Sequence, residues 1–341
     1  MKRLIKSDKN IIGKFLAAAF IIGMFANLAM AELPGKGVTV RPVYNGIVEE
    51  LFQHEVIFMG LERLGYKVAP IMEVEITTMH IAVGQGSADF CASHWDPLQT
   101  AMYTKAGGDD VMAKVGVLAD GALQGYLVDK KTAEKHGIKS LDQFKDPKVA
   151  KIFDTDGDGK ADLTGCNPGW GCERSIEHHL GAYDIDKTVR HNQGSYFALI
   201  ADTISRYRDG KPIFYYTWTP LWVSGILVPG KDVQWLTVPF TSLPDGGEEN
   251  AITTLPDGRN LGFSVNKIRV MARKDFLKKN PAAKRFFELV KIPINDISAE
   301  NGLIRDGEKS AKDIRRHAEE WVAKHKAAFD SWVNEAMKAA Q

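Results

Sequence analysis

The stretch GVTVRPVYNGIVEELFQHEVIFMGLERLGYKVA, residues 37–69, decides the fold class. Residues 37–40 are typical of a short strand, and residues 47–64 repeat apolar side chains at helical spacing. Gly65 suits the end of that helix, and residues 66–69 are typical of a second strand. A strand, a helix and a strand in this order form a β-α-β unit. We therefore predict an α/β protein with a parallel sheet.

Two later strand-like segments are each followed by a tryptophan and a proline. Residues 88–92 precede the sequence HWDPL, which contains Trp95, and residues 213–216 precede TWTP, which contains Trp218. We expect both tryptophans to lie in loops. In open α/β sheets ligands bind beyond the carboxyl ends of the strands, so both loops are candidate parts of a ligand site.

Other segments complete the predicted set of elements. We expect helices over residues 79–83, 130–136 and 314–336, strands over residues 121–128 and 233–238, a turn over residues 84–86, and an exposed connection over residues 243–260.

The first 31 residues have the features of a secretory signal peptide. Five basic side chains between residues 2 and 14 precede an apolar run over residues 15–28, and Ala29 and Ala31 form a small-x-small cleavage pattern before Glu32. We expect cleavage after Ala31. An uncleaved anchor is the alternative, but the run is short for a bilayer span of about 20 residues.

The remaining 310 residues, 32–341, form a mildly acidic chain. The first 31 residues carry five basic groups and one acid, so the net charge of +1 for the whole sequence becomes −3 for the rest. This balance argues against a nucleic-acid-binding protein, which normally carries a basic patch. Single cores rarely exceed about 250–300 residues, so we expect two lobes.

The three cysteines divide into a pair and a single residue. Cys166 and Cys172 are separated by five residues rich in glycine and proline, and export permits a disulfide between them. Cys91 lies in an apolar strand-like run and is expected to be a buried thiol. A zinc cluster of the paired cysteines with His178 and His179 is disfavoured, because its spacing is unusual and the compartment oxidises thiols.

Three of the seven tryptophans lie beside proline or glycine. Trp95, Trp170 and Trp218 are in such positions, whereas tryptophans on the C-terminal helix have core spacing. Either these three indoles are also core residues or they form a shared ligand site. Indole faces attract a quaternary ammonium group, which has no N–H to donate, by about 0.5–2 kcal/mol each. Sugar stacking is the rival use, and it requires more polar partners beside each ring.

The segment around Trp170 also offers donors for an anion. A bridge between Cys166 and Cys172 fixes the loop, and the backbone N–H groups of Gly171 and Cys172 then converge as an anion nest. A zwitterion with a methylated ammonium group and a carboxylate satisfies both the indoles and the nest.

A calcium-loop pattern precedes this segment. Asp154, Asp156, Asp158 and Asp162 occupy positions 1, 3, 5 and 9 of such a loop, but Gly165 stands where the bidentate glutamate is expected. The alternatives are a structural calcium ion and a simple acidic turn. We predict no other cofactor.

Four segments together resemble one known family. They are ELPGKG at residues 32–37, DTDGDGKADLTGCNPGWGCE at residues 154–173, DTISRY at residues 202–207 and FYYTWTP at residues 214–220. These segments closely resemble the periplasmic glycine betaine/proline betaine-binding proteins of ProU-type ABC importers, and the likeness extends over residues 32–341.

The resemblance implies a type II periplasmic binding fold with the ligand between two α/β lobes. One lobe is expected to comprise residues 32–122 and 250–341, and the other residues 123–249. The implied site is an aromatic box of Trp95, Trp170 and Trp218 for the ammonium group, with Gly171 and Cys172 as backbone donors to the carboxylate. Relatives place a histidine four residues after the first box tryptophan, where this chain has Gln99.

The resemblance also implies partners and excludes others. A periplasmic monomer without enzymatic activity is expected, which delivers glycine betaine or proline betaine to a membrane permease and its ATPase and binds no nucleic acid. Choline or carnitine binding in the same fold is the first alternative. The second is an exported enzyme that uses His94, Asp96 or His178, and no catalytic motif supports it.

Overall fold

The computed structural model describes residues 32–341, without the side chains of residues 248–250. The predicted signal peptide and its cleavage site at Ala31 lie outside the described residues. Eleven strands occur in the described part of the chain. They are β1 (Thr39–Val40), β2 (Val43–Tyr44), β3 (Lys67–Val68), β4 (Met72–Glu73), β5 (Phe90–Asp96), β6 (Met112–Asp129), β7 (Ala161–Thr164), β8 (Val189–Asn192), β9 (Phe214–Thr219), β10 (Val233–Trp235) and β11 (Asn266–Arg273).

The same residues contain thirteen α-helices, with short 3-10 turns between several of them. The helices are α1 (Leu51–Arg63), α2 (Ile76–Gln85), α3 (Thr100–Lys105), α4 (Gly108–Val111), α5 (Lys130–His136), α6 (Pro147–Ala150), α7 (Gly171–Ala182), α8 (Tyr196–Arg208), α9 (Lys274–Lys279), α10 (Pro281–Leu289), α11 (Ile294–Arg305), α12 (Ala311–Lys324) and α13 (Lys326–Lys338). A 3-10 turn over Val48–Glu50 precedes α1.

A seven-stranded mixed sheet lies at the centre of the fold. Its order is β5-β11-β6-β9-β7-β8, and β10 also pairs with β6. The long strand β6 changes its pairing partner along its length. Ala122 pairs with β11, whereas residues 123–128 pair antiparallel with β9. One strand therefore connects the two halves of the sheet.

The β-α-β unit predicted from residues 37–69 is present. Strand β1 pairs parallel with β3, and α1 lies between them in the chain. Gly65 follows the helix with a φ of 89°, a conformation that favours glycine. The pair is a small sheet of its own, and a second parallel pair, β2 with β4, lies beside it in sequence. The large sheet is mixed because β5, β6, β9 and β11 pair antiparallel.

Several predicted elements have different ends in the structure. The strands predicted over residues 88–92 and 213–216 continue as β5 and β9 through Asp96 and Thr219, so Trp95 and Trp218 lie on strands and the prediction of loops was wrong. Backbone pairing to β11 and β6 extends both strands beyond their apolar runs. The turn predicted over residues 84–86 is reduced to Gly86, since α2 continues through Gln85. The helical pattern of residues 314–336 is divided at His325.

Close packing between α1 and α10 places a glycine against an aromatic ring. Phe286 is fully buried, and its ring lies 5.9 Å from the ring of Phe329 between centroids. A Cβ atom added at Gly60 would lie 2.0 Å from the Cζ atom of Phe286. Gly60 therefore permits the close approach of the two helices.

We expect Gly60→Ala to lower the free energy of unfolding by about 2 kcal/mol, because the added methyl group must displace a buried ring. Gly302→Ala is the matched control, since a Cβ atom at this position in α11 has nothing within 4 Å. Its expected effect is neutral to stabilising by up to about 1 kcal/mol. Urea denaturation measures both variants, and equal stabilities would contradict the packing argument.

Within the described residues, no helix combines the length and apolar character that a bilayer span requires.

Candidate ligand-binding site

One cavity collects all the residues that the sequence suggested for ligand binding. It lies at the ends of β5 and β9 and at the start of α7, and its volume is about 380 Å³ including the open space at its mouth. The lining residues are Asn45, Ile47, Glu50, Ile76, Trp95, Leu98, Gln99, Gln124, Trp170, Gly171, Cys172, Tyr216 and Trp218.

Two walls of the aromatic box meet almost at right angles. The rings of Trp170 and Trp218 lie 5.8 Å apart between centroids, with 69° between their planes. Tyr196 supports both, at 4.5 Å from Trp218 and 6.4 Å from Trp170. Two ring faces inclined in this way can contact a group from two sides, which suits a compact tetrahedral cation.

Trp95 reaches the same cavity from β5, where it pairs with Ile268 of β11. Its indole Nε1–H donates to the Oε1 atom of Glu50 at 3.3 Å, and its backbone N–H donates to the Oε1 atom of Gln99 at 3.2 Å. These bonds fix both the ring and the main chain. The box residues thus come from β5, β9 and the residue before α7.

The predicted anion nest is the N-terminus of α7. Gly171 and Cys172 are the first two residues of this twelve-residue helix, and Trp170 occupies the N-cap position. The first N–H groups of a helix have no partner within it, and the helix dipole adds partial positive charge there. The predicted disulfide between Cys166 and Cys172 is confirmed and holds this end in place.

Gln99 lies in the cavity wall with its side chain almost completely buried. Its amide oxygen accepts the Trp95 N–H, and its backbone N–H donates to the Trp95 carbonyl at 2.8 Å. The amide NH₂ group is therefore the part of the side chain that remains for a ligand.

Sequence reasoning missed the polar residues that complete the cavity. Gln124 stands opposite Trp218 in the β6–β9 pairing, and the Tyr216 hydroxyl donates to its Oε1 atom at 2.6 Å. Glu50 comes from the turn before α1, and Asn45 lies five residues earlier. None of these residues had a distinctive signal in the sequence, since an acid at the start of a helix, such as Glu50, is common.

Burial changes the acidity of Glu50. Desolvation raises its pKa to about 7, and the charge of Glu49 acts in the same direction. The polar side chains of Ser93, Trp95 and Asn45 act in the opposite direction and partly offset this rise. The Oε2 atom of Glu50 is buried without a hydrogen-bond partner among the described residues.

The residues considered for an enzyme do not line this cavity. His94 is buried with its Nδ1 atom 3.2 Å from Nε2 of His80, and Asp96 pairs with Lys114 and Arg269. The Nε2 atom of His178 lies 2.8 Å from the Ser242 hydroxyl. The three side chains thus have separate partners. Cys91 is a buried free thiol, as predicted.

The acidic loop brings together only part of the predicted calcium ligands. Carboxylate oxygens of Asp154, Asp156 and Asp162 lie within 4.8 Å of one another, and Asp158 is not in this group. Asp154 accepts from the N–H groups of Gly157 and Gly159, and Arg190 pairs with both Asp156 and Asp158. These bonds already satisfy much of the acidic charge, and the calcium ion stays a prediction.

Comparison with known proteins identifies the family. A family model described as the substrate binding domain of ABC-type glycine betaine transport system (OpuAC) matches residues 38–324. The chain belongs to this family. The members of this family are substrate-binding proteins of transport systems. The type II periplasmic binding fold predicted from the sequence is confirmed.

Two relatives of this OpuAC-family chain are similar over almost their full lengths. The glycine betaine/proline betaine-binding periplasmic protein of Escherichia coli (strain K12) is 51% identical, covering 95% of this chain and 97% of the relative. The glycine betaine-binding periplasmic protein OusX of Dickeya dadantii (strain 3937) is 52% identical over 96% and 97%. The closed, liganded structure of lactococcal OpuAC with glycine betaine has a TM-score of 0.65 at 22% identity, covering 86% and 99%.

Proposed function

We propose that this protein captures glycine betaine or proline betaine for an ABC importer. The observation that carries the proposal is one cavity containing three indoles beside the N-terminus of α7. Methylated ammonium groups are attracted by indole faces, and carboxylates by helix N-termini. The names of the similar proteins from Escherichia coli and Dickeya dadantii support the same ligand class.

The box and the nest divide the ligand between them. Trp95, Trp170 and Trp218 hold the methylated nitrogen, while the N–H groups of Gly171 and Cys172 bind the carboxylate. The amide of Gln99 donates a further hydrogen bond to the carboxylate. Because this amide is neutral, its hydrogen bond orients the ligand's carboxylate but adds no positive charge.

The proposed lobes comprise residues 32–122 with 250–341, and residues 123–249. The change of pairing partner along β6, between Ala122 and Leu123, supports this division. Ligand contacts from both lobes favour the closed arrangement, which is then the form that docks on the permease. We propose that the protein works as a periplasmic monomer after cleavage at Ala31, with a permease and an ATPase as partners.

Calorimetric titration of the mature, oxidised protein tests the proposal. We expect glycine betaine and proline betaine to bind with 1:1 stoichiometry and to change tryptophan fluorescence, because three indoles line the cavity. Choline and carnitine are the discriminating ligands. Choline lacks a carboxylate, so we expect it to bind at least about tenfold more weakly, which is the value of one lost hydrogen bond to a charged group, about 1.5–3 kcal/mol.

Two results would contradict this proposal. Absence of heat and of a fluorescence change with both betaines would remove the ligand class. Tighter binding of choline than of glycine betaine would remove the role of Gly171 and Cys172 as carboxylate donors.

A further inference from the structure

A buried carboxyl group lies in the wall of the proposed betaine site. Glu50 lines the cavity, and the residue is only 7% exposed. One of its oxygens accepts the indole N–H of Trp95, and the other has no hydrogen-bond partner in the described part of the chain. Burying an acceptor without a partner is costly, and because Glu50 lines the cavity a bound ligand can supply the missing interaction.

From this geometry we infer that Glu50 is the counter-charge for the ligand's cationic group and that ligand capture expels a proton from its carboxyl. The inference rests on the proposed function and extends it to regulation by pH. Proton transfer is the only chemical step involved. The O–H bond of the Glu50 carboxyl ionises, the electron pair remains on the carboxylate, and the proton passes to the buffer.

The position of Glu50 indicates that it lies beside the ammonium end of the bound ligand. Its bond to the Trp95 indole N–H places the carboxyl at the edge of a box ring, whereas the helix N-terminus at Gly171 attracts the ligand's own carboxylate. A cation beside a carboxyl group favours the ionised form. The opposite arrangement would place two carboxylates together and cause proton uptake.

Other titratable groups surround Glu50, and most of them remain neutral near pH 7. In α1, His54 donates its Nδ1–H to the Glu50 carbonyl, its Nε2 accepts the Ala92 N–H, and burial lowers its pKa to about 4. The remaining neutral groups are buried, with pKa values displaced away from neutrality. These are His80 of α2, Cys91 and His94 of β5, Tyr196 of α8 and Tyr216 of β9.

The charged neighbours have partners of their own. Glu49 precedes Glu50, and its Oε1 atom accepts the indole N–H of Trp222 at 2.8 Å, while its Oε2 atom is also buried without a hydrogen-bond partner among the described residues. Lys309 lowers the pKa of Glu49 against the effect of burial. In α11, Glu300 pairs with His317, Arg305 pairs with Asp306, and Asp296 accepts from Trp321. Glu49 is therefore the neighbouring carboxyl group whose titration could be mistaken for that of Glu50, and it does not line the cavity.

The expected consequence is a pH-dependent affinity. The pKa of Glu50 is about 7 without ligand, so about half of the molecules carry this proton at neutral pH and binding releases about half a proton per ligand. Above the pKa the carboxyl is already ionised and the affinity is highest. As the pH falls through this value, the ligand must first displace the proton, so we expect about thirtyfold weaker binding at about pH 5.5 than at about pH 8.

Calorimetry in two buffers measures the proton directly. Glycine betaine is titrated at about pH 7 in phosphate and in Tris, whose ionisation enthalpies differ strongly. Proton release makes the observed heat depend on the buffer, with the sign of transfer from protein to buffer. A dissociation constant measured from about pH 5.5 to about pH 8 gives the second readout.

Two matched variants assign the effect to one carboxyl group. Glu50→Gln keeps an oxygen for the Trp95 indole but removes the charge, so we expect no buffer-dependent heat, no pH dependence and about tenfold weaker binding at about pH 8. Glu49→Gln is the control and should retain proton release, with its midpoint moved to lower pH because a neighbouring negative charge is gone.

Each outcome separates the inference from the proposed function. Betaine binding with equal heats in both buffers and a constant affinity would overturn the inference and leave the betaine site standing. Proton uptake would also overturn it, as would loss of the effect in Glu49→Gln alone. No betaine binding at any pH would instead reject the proposed function. The wild-type measurement decides the question even if Glu50→Gln fails to fold.

Discussion

Replacing Trp218 by alanine is expected to weaken glycine betaine binding by about a hundredfold. The side chain is a wall of the aromatic box, and a desolvated indole–cation contact contributes about 2 kcal/mol or more. The loss of apolar contact with the ligand's methyl groups adds to this, and about 2.7 kcal/mol corresponds to a hundredfold change. Tyr196 and Tyr216 remain behind the removed ring, at 4.5 and 6.1 Å from it between centroids, and limit the loss.

Calorimetric titration of the variant measures the effect, and two further substitutions act as controls. Trp218→Phe keeps an aromatic face and should lose less affinity than the alanine variant. Trp332→Phe changes a partly buried indole of α13 that does not line the cavity, so the affinity should not change. Unchanged binding in Trp218→Ala would remove the box from the proposed function. Equal losses in the Trp218 and Trp332 variants would indicate a general effect on the fold.

Gly171→Ala is expected to weaken betaine binding by more than tenfold while the protein stays folded. A Cβ atom at this position would lie 2.8 Å from the Leu98 Cγ atom and 3.0 Å from the Leu98 carbonyl oxygen. Leu98 follows β5, whereas Gly171 begins α7, and both line the cavity. The added methyl group must therefore move one cavity wall away from the other. Such a movement of the wall weakens binding, because the ligand is held by N–H groups and ring faces that must keep their direction and distance.

The control for this substitution lies in the same helix. Gly181→Ala adds a methyl group with nothing within 4 Å, so the affinity should be unchanged and the stability equal or up to about 1 kcal/mol higher. Titration measures the affinities and thermal unfolding measures the stabilities. Wild-type affinity in Gly171→Ala would mean that the cavity walls do not need this close approach.

Local patterns were sufficient to predict the elements that depend on neighbouring residues. The helix over residues 130–136 is present as Lys130–His136, ended by Gly137 with a φ of 68°. The β-α-β unit of residues 37–69 and the Cys166–Cys172 disulfide also follow from short spacings. Periodicity, a left-handed glycine and a tight cysteine spacing are all properties of the chain itself.

Strand ends could not be predicted in this way. Trp95 and Trp218 belong to strands because β11 and β6, distant in sequence, continue to pair with their main chains. Hydrogen bonds to a distant partner leave no pattern in the apolar residues of the strand. The prediction of a loop around each of these two tryptophans was wrong for this reason. The expectation that both tryptophans lie at the ends of their strands does not depend on the loops.

The polar part of the cavity also required the tertiary structure. Gln124 faces the cavity because its neighbour across the sheet is Trp218, and Tyr216 then bonds its amide oxygen. Glu50 carries no local mark of its role, since acids are common in the first turn of a helix. Its burial depends on segments that are distant in sequence, among them β5, whose Trp95 indole donates to it.

The sequence by itself therefore determined the α/β class, the fixed loop before α7 and the three indoles with an affinity for a methylated cation. These depend on residue type and on spacings of a few positions. Only the tertiary structure decided that the indoles share one cavity, that Leu98 touches Gly171 and that a carboxyl with a displaced pKa lies among them. Desolvation and cross-strand contact are properties of surroundings assembled from distant segments, and one segment alone does not encode them.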